Sequence, residues 1–199
     1  MSKKPIITFE GIEGSGKTTQ INFVTRFLKK KKIKYIKLRE PGGSKNSEKI
    51  RKLILGNKST FNAKTDLLLY LASRSENIEK IITKNYKKKV ILIDRFIHST
   101  LAYQHYGMNL DKKLIIKLNS YLLKKIKVDF TFLHIVNKKN LFQRLNKRKN
   151  KNRYDKFNFN FYSKVQKGFL KQSNKKKFMV INSDYKIYDN KKKNYFQNI

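Results

Sequence analysis

The 199-residue sequence contains no cysteine, only two prolines and only eight glycines. Without cysteine, the chain can form neither disulfides nor cysteine-ligated metal sites, which suits a reducing compartment. Long apolar runs are also missing. Only a four-residue run separates the charged start MSKKP from Glu10, too short for a secretion signal, and nothing approaches the roughly 18 apolar residues of a membrane helix. We therefore expect a soluble cytoplasmic protein with no membrane partner.

Acidic residues are scarce as well, since 13 of them stand against 49 lysines and arginines, a formal net charge of +36. Only eight of the 49 are arginine, so 49 − 8 = 41 are lysine. Lysine is accompanied by much asparagine and isoleucine, all with A- and T-rich codons, and we attribute most of the excess to base composition. The lysine runs lie between the predicted elements rather than on one face, which indicates a solvated surface and no specific nucleic-acid partner. Non-specific binding at low salt is still expected.

The few arginines are more informative than the lysines. If lysine has replaced arginine wherever a positive charge suffices, the remaining arginines indicate positions that need a planar guanidinium group. The eight positions are Arg26, Arg39, Arg51, Arg74, Arg95, Arg144, Arg148 and Arg153. All except Arg26 lie in or beside a candidate site.

Short apolar runs alternate with segments of helical periodicity along the chain. The predicted strands are 5–10, 34–40, 90–94, 130–136 and 178–183. Helices are predicted from about Lys17, over 47–55 and over about 64–84, with further helices between the later strands. The alternation predicts a parallel α/β sheet covered on both faces. With no repeat or linker, we expect a single domain over residues 1–199.

The segment GIEGSGKT (11–18) matches the phosphate-binding pattern G-x-x-x-x-G-K-[ST]. It follows a predicted strand and precedes a predicted helix, the context in which backbone N–H groups surround phosphate oxygens. Lys17 would reach the terminal phosphates and Thr18 would bind Mg²⁺. Asp94 ends a neighbouring strand, where an acid can hold the hydrated ion. The loop is predicted to bind a nucleoside triphosphate, which the family resemblance described below identifies as ATP, through Gly11, Ile12, Glu13, Gly14, Ser15, Gly16, Lys17, Thr18 and Thr19.

A second anionic site is predicted at the same edge of the sheet. Arg39 and Arg95 follow the second and third strands, and Arg51 and Arg74 lie on helices between them. Open α/β sheets bind ligands at the carboxyl ends of their strands, so four guanidinium groups there suit an acceptor such as a monophosphate. The phosphate-binding loop alone would also fit a GTPase or a motor.

Several motifs together resemble those of the bacterial thymidylate (dTMP) kinases. FEGIEGSGKTT, REPGG, EKIRKLIL, LASR, DRF…ST.AYQ and NRYD occur in that family's order and spacing, from about residue 5 to 183. The resemblance implies a P-loop NTPase fold, with a five-stranded parallel sheet of order 2-3-1-4-5, helices on both faces and a short lid. It also implies a homodimer that transfers the γ-phosphoryl group of ATP to dTMP with Mg²⁺, giving dTDP for dTTP synthesis.

The resemblance assigns roles at the acceptor site. It places Arg51 and Arg95 on the dTMP phosphate, Tyr70 on the thymine face and Arg74 on a base oxygen. The i, i+4 spacing of Tyr70 and Arg74 puts both on one helix face. Thr100 and Gln104 match base-contacting positions, Glu13 an acid near the 3′-hydroxyl and Glu40 an acid near the acceptor phosphate. The residues predicted to carry catalysis are Lys17, Glu40, Asp94, Arg95, Arg148 and Arg153.

A basic lid is predicted over about 144–160. Because Ser15 in the phosphate-binding loop is neutral, the resemblance implies that the lid supplies the missing positive charge, through Arg148 and above all Arg153. Arg144 could belong to the lid or end the preceding helix. His98 departs from the family pattern, with its role left open, and the tail after 183 could form only a stub of the family's last helix.

Three alternatives remain beside dTMP kinase. One is a kinase of another (deoxy)nucleoside monophosphate, or of a nucleoside, on the same fold; a guanylate or cytidylate enzyme should lack the Tyr70–Arg74 pair. Another is a basic P-loop ATPase that binds nucleic acid and needs no acceptor-site arginines. The last is a decayed relative kept for interaction, against which the intact Lys17, Thr18 and Asp94 argue.

Overall fold

Five parallel strands form one sheet in the computed structural model, which describes residues 4–174 and 176–185. The strands are β1 (Ile6–Gly11), β2 (Tyr35–Arg39), β3 (Val90–Asp94), β4 (Phe130–Ile135) and β5 (Phe178–Asn182). Their spatial order is β2-β3-β1-β4-β5 with every pairing parallel. This confirms the predicted order 2-3-1-4-5.

The helices connect successive strands. They are α1 (Lys17–Lys30), α2 (Lys45–Leu55), α3 (Ala63–Asn77), α4 (Thr83–Asn85), α5 (Ile97–Thr100), α6 (Lys112–Leu123), α7 (Lys138–Asn146) and α8 (Phe159–Gln172). The single helix predicted over about 64–84 is interrupted, because a π-helical turn, Ile78–Ile82, separates α3 from α4. A second π-helical turn, Leu101–Gly107, extends α5. None of the helices within the described ranges combines the length and apolar character that crossing a bilayer requires.

The sheet is buried on both faces. Successive residues of β1 enter different apolar clusters: Ile6 packs with Ile78 and Ile82, and Ile7 packs with Ile21 of α1. Because side chains alternate across a strand, helices must cover both faces, as predicted. Each face of the sheet therefore packs against an apolar layer.

The parallel register brings the predicted site residues to one edge. Asp94 pairs with Phe9 of β1 and with Arg39 of β2, and Gly11 pairs with His134 of β4. The carboxyl ends of β1, β2 and β3 therefore meet where α1 begins.

Helices cover both ends of the segment 144–160 that is predicted to be a lid. Arg144 lies in α7, and α8 begins at Phe159 after Asn158, whose side chain caps it. The irregular segment is therefore 147–158, with a 3₁₀ turn at Arg153–Lys156. The predicted stub of a last helix lies outside the described residues, which end at 185.

Candidate active site

The phosphate-binding loop has the backbone that glycine permits. Gly11 and Gly16 adopt φ angles of 137° and 86°, in the region that L side chains avoid. A Cβ atom at Gly11 would lie 2.3 Å from the carbonyl oxygen of His134. Gly16 is also the N-cap of α1, so the loop leads directly into the positive end of a helix.

Lys17 is folded back onto this loop. Its Nζ donates to the carbonyl oxygens of Gly11 at 2.9 Å and Ile12 at 2.7 Å. Burial, together with the nearby charge of Arg95, lowers the pKa of Lys17 to about 7. Ile12 contributes only its backbone, because its side chain is buried in the core. Thr19 is exposed on α1 and is not among the residues that line the cleft.

Asp94 and Thr18 face the same cleft as Lys17. Oδ1 of Asp94 is buried without a hydrogen-bond partner among the described residues, and Thr18 is exposed in the first turn of α1. The described residues contain no group of three or more acidic or histidine side chains that could hold a metal. Mg²⁺ in kinases typically takes one or two protein ligands, with phosphate and water supplying the rest. The residues present therefore fit a hydrated Mg²⁺ ion bound with a nucleotide.

Three of the four arginines predicted for the acceptor site line this cleft, which has a volume of about 410 Å³. Arg95 donates to the Gly11 carbonyl at 2.7 Å and to Glu13 at 3.0 Å. Arg51 donates to the Pro41 carbonyl at 2.6 Å. Arg39 also lines the cleft, but it pairs with Glu48 at 2.9 Å. The structure therefore brings Lys17, Arg51 and Arg95 onto the walls of one cavity.

Arg74 and Glu40 form a buried ion pair, in which Glu40 lines the cleft and both residues line a second, narrower pocket. Arg74 Nε lies 2.8 Å from Glu40 Oε2, and the two side chains are 1% and 3% exposed. The guanidinium group also donates to Asn119 of α6 and stacks over Phe96. Burial raises the pKa of Glu40. Arg74 and Asn77 offset only part of this rise, so the pKa stays above its usual value. Arg74 is thus held by two partners from distant parts of the chain.

A narrow pocket of about 20 Å³ continues from the cleft, with Tyr70, Arg74 and Gln104 in its wall. Thr100 Oγ1 and Gln104 Nε2 are buried without hydrogen-bond partners among the described residues. Burial raises the pKa of Tyr70 to about 12, so its phenol is neutral. Unpaired buried polar atoms are costly. Two of them in one pocket indicate a site for a polar ligand.

The two arginines predicted to act from the lid, Arg148 and Arg153, occupy different places. Arg148 lines the cleft and pairs with Asp155 at 2.7 Å. Arg153 is not among the cleft residues, because its guanidinium group is bonded to Asp66 of α3. Arg144, whose place the sequence left open, lines the cleft and donates to the Gly14 carbonyl at 2.9 Å.

The sequence analysis missed a buried acid, Glu10, beside the phosphate-binding loop. Its carboxylate accepts from Phe96 N–H at 3.0 Å and Ser99 Oγ at 2.5 Å, and His98 Nδ1 lies 3.6 Å away. Burial alone would raise the pKa of Glu10, but His98, Ser99 and Arg95 together lower it. His98 thus lies beside a structural carboxylate, and Glu10 fastens the segment after Arg95 to β1. The sequence did offer one signal for Glu10: it is the last residue with a side chain in a strand that was predicted to be buried.

Tyr103 was also missed, although it lies inside the AYQ motif. Its hydroxyl donates to Glu13 Oε2 at 2.5 Å, and Arg95 stacks over its ring with 5.2 Å between Cζ and the centroid. Tyr103 thereby links Glu13 to Arg95 in the wall of the narrow pocket. A tyrosine between two predicted base-contacting residues, Thr100 and Gln104, could have been recognised from its spacing.

Comparisons with known proteins agree with one another. The Thymidylate kinase family model matches residues 9–194. A thymidylate kinase of Acholeplasma laidlawii is 41% identical over 186 residues, 91% of this chain and 92% of that protein. One of Thermosipho africanus is 38% identical over 185 residues, 92% of each chain. The crystal structure of thymidylate kinase from Ehrlichia chaffeensis matches with a TM-score of 0.73 and 32% identity, covering 90% of this chain and 91% of that one. The chain therefore belongs to the thymidylate kinase family.

Proposed function

We propose that this chain transfers the γ-phosphoryl group of ATP to dTMP, giving dTDP for dTTP synthesis in the cytoplasm. The observation that carries the proposal is that the phosphate-binding loop and the acceptor-site Arg51 and Arg95 line one cleft. Phosphoryl transfer depends mainly on positioning and charge stabilisation. Two sets of groups suited to binding phosphate on the walls of one cavity meet that requirement.

Mg²⁺ would be held by Thr18 and Asp94, and when bound it neutralises charge on the ATP phosphates. Lys17 would turn from the carbonyls of Gly11 and Ile12 towards those phosphates. Arg148 already lines the cleft and would stabilise the charge on the group in transfer. For Arg153 to act as a second such arginine, it would first have to leave Asp66.

Thymine would stack on Tyr70 and take hydrogen bonds from Thr100 and Gln104, whose polar atoms lack partners among the described residues. The free space of about 20 Å³ in the narrow pocket holds about one water molecule. Thymine is larger than this space, so side chains that line the narrow pocket would have to rearrange when the base enters it. A site built to satisfy one base edge rejects other bases by leaving its polar groups unpaired.

We further propose that the protein is a homodimer. Leu68 of α3 and Leu114 and Tyr121 of α6 are exposed, and Leu67 of α3 and Ile115 of α6 belong to one apolar cluster. Such a face suits a second copy of the chain. Light scattering on the wild-type protein and on Leu114→Asp tests this: the wild type should be a dimer, and an unchanged mass of the variant would contradict this face.

Release of ADP from Mg-ATP tests the activity, with dTMP, dUMP, dCMP, dGMP and AMP offered separately. We expect turnover with dTMP far above that with the others. Preferred turnover with another monophosphate would keep the fold and contradict the assignment of Tyr70 and Arg74. ATP binding without turnover on any acceptor would contradict the kinase proposal as a whole.

A further inference from the structure

One face of α3 carries three polar groups in series. Asp66, Tyr70 and Arg74 are spaced at i, i+4 and i+8, so their side chains leave the helix on the same side. Tyr70 and Arg74 lie in the wall of the narrow pocket. Asp66, one turn earlier, binds the lid instead. The acceptor site and the lid therefore share one helix.

Asp66 is a buried carboxylate, 1% exposed, with both oxygens engaged by adjacent lid residues. Oδ2 accepts from the Tyr154 hydroxyl at 2.7 Å, and Oδ1 accepts from the Arg153 guanidinium group. Its place in the first turn of α3 also suits the positive end of that helix. Both lid contacts span more than 80 residues of sequence, so they fix tertiary geometry rather than local structure.

Tyr154 connects this carboxylate to the acceptor site. Its ring stands edge-on to Tyr70, with 6.3 Å between centroids, and edge-on to Tyr103 at 5.8 Å. The same tyrosine lines the cleft together with Arg148. A shift of the lid at Tyr154 would therefore move the packing of the aromatic group proposed to hold the base.

A buried ion pair is by itself weak evidence for a gain in stability, because apolar residues of the same volume often give a protein that is equally stable. The charges of Asp66 and Arg153 do favour one geometry, since separating the two residues would leave the buried carboxylate of Asp66 without its positive partner. Arg153 is drawn away from the cleft by Asp66, while Arg148 remains on the cleft wall. The two lid arginines are thus separated into an anchor and a group that faces the phosphates.

We propose that Asp66 is a positioning residue: by binding Arg153 and Tyr154, it holds the lid on the acceptor-site helix, with Arg148 at the phosphate cleft. The inference rests on the proposed phosphoryl transfer. Asp66 touches neither substrate, so its effect reaches the reaction through the lid. Arg153 then acts through Asp66, and the two residues form one unit.

A double-mutant cycle tests this, using Asp66→Asn, Arg153→Gln and the double variant in the ADP-release assay with Mg-ATP and dTMP. Each single variant should lower kcat between about 10- and 100-fold, because small misplacements of catalytic groups have effects of that size. The KM for ATP should stay unchanged. The double variant should be no slower than the slower single one, since residues acting as a unit are not additive. Glu79→Gln, an exposed acid in the turn after α3, is the charge-matched control and should retain the wild-type kcat.

Other outcomes separate the possible errors. Wild-type kcat in Asp66→Asn, or losses that multiply in the double variant, would show that Arg153 acts independently and would overturn the proposal. If Asp66→Asn does not fold, as judged by circular dichroism, Tyr154→Phe replaces it in the cycle, because it removes one hydroxyl and keeps the ring contacts. Tyr154→Phe should lower kcat less than Arg153→Gln does, and a wild-type kcat in Tyr154→Phe would overturn the proposal. Absence of dTMP-dependent turnover in the wild type would instead refute the proposed function.

Discussion

Replacement of Arg74 by lysine tests the acceptor site most directly. The Arg74 side chain is 1% exposed, and its guanidinium group binds both Glu40 and Asn119 while stacking on Phe96. An ammonium group is a point charge that can keep Glu40 but cannot also span to Asn119. Loss of one charge-assisted hydrogen bond and part of the cation–π contact should lower the free energy of unfolding by about 3 kcal/mol. For a chain of this length, that corresponds to a fall in Tm of roughly 6–12 °C.

The same change should reduce kcat/KM for dTMP. If Arg74 also contacts the base, one lost charged hydrogen bond corresponds to roughly 10- to 100-fold. ATP binding should stay nearly unchanged, because Arg74 lies on the wall of the narrow pocket and not among the residues that line the larger cleft. Arg26→Lys is the matched control, since Arg26 is exposed on α1 and lies outside both pockets. The assays are thermal unfolding, kinetics with varied dTMP and calorimetry with a non-hydrolysable ATP analogue. Equal losses of ATP and dTMP binding would refute the assignment of Arg74 to the acceptor site.

Three further predictions concern the cleft. Because the pKa of Lys17 is lowered to about 7 in the free protein, Lys17 is largely neutral at pH 8, and phosphate binding should restore its proton. Calorimetry of nucleotide binding in buffers of different ionisation enthalpy should therefore detect proton uptake at pH 8 and little at pH 6. Equal uptake at both pH values would contradict this prediction. Asp94→Asn should weaken Mg²⁺ activation about 10- to 100-fold, and an unchanged Mg²⁺ titration of activity would remove Asp94 from the metal site. Tyr70→Phe should leave the KM for dTMP nearly unchanged, whereas Tyr70→Ala should raise it because stacking contributes about 1–3 kcal/mol; equal KM values would exclude stacking.

The sequence predicted much of the framework because its signals are local. Each strand was predicted to within one or two residues, since short apolar runs bounded by charge are typical of buried strands. The glycine-rich pattern predicted the backbone of the loop, and Gly11, Gly14 and Gly16 have the positive φ angles that glycine allows. Interruption of the helix after Asn77 was not predicted, because the apolar spacing there fits a continuous helix equally well.

Only the tertiary structure decided how the side chains pair. The sequence favoured Arg153 over Arg148 as the arginine that reaches the phosphates. In the structure, Asp66 of α3 binds Arg153, and Arg148 is the one that lines the cleft. The sequence likewise could not show that Asn119 would meet Arg74 across 45 residues, or Glu10 would meet Ser99 across 89. Periodicity fixes which face of a helix is apolar, but the partner of a buried charge depends on how whole helices dock. The sequence by itself thus determined where the strands and the glycine-rich loop lie along the chain. The arrangement of charges around the cleft was decided by long-range packing.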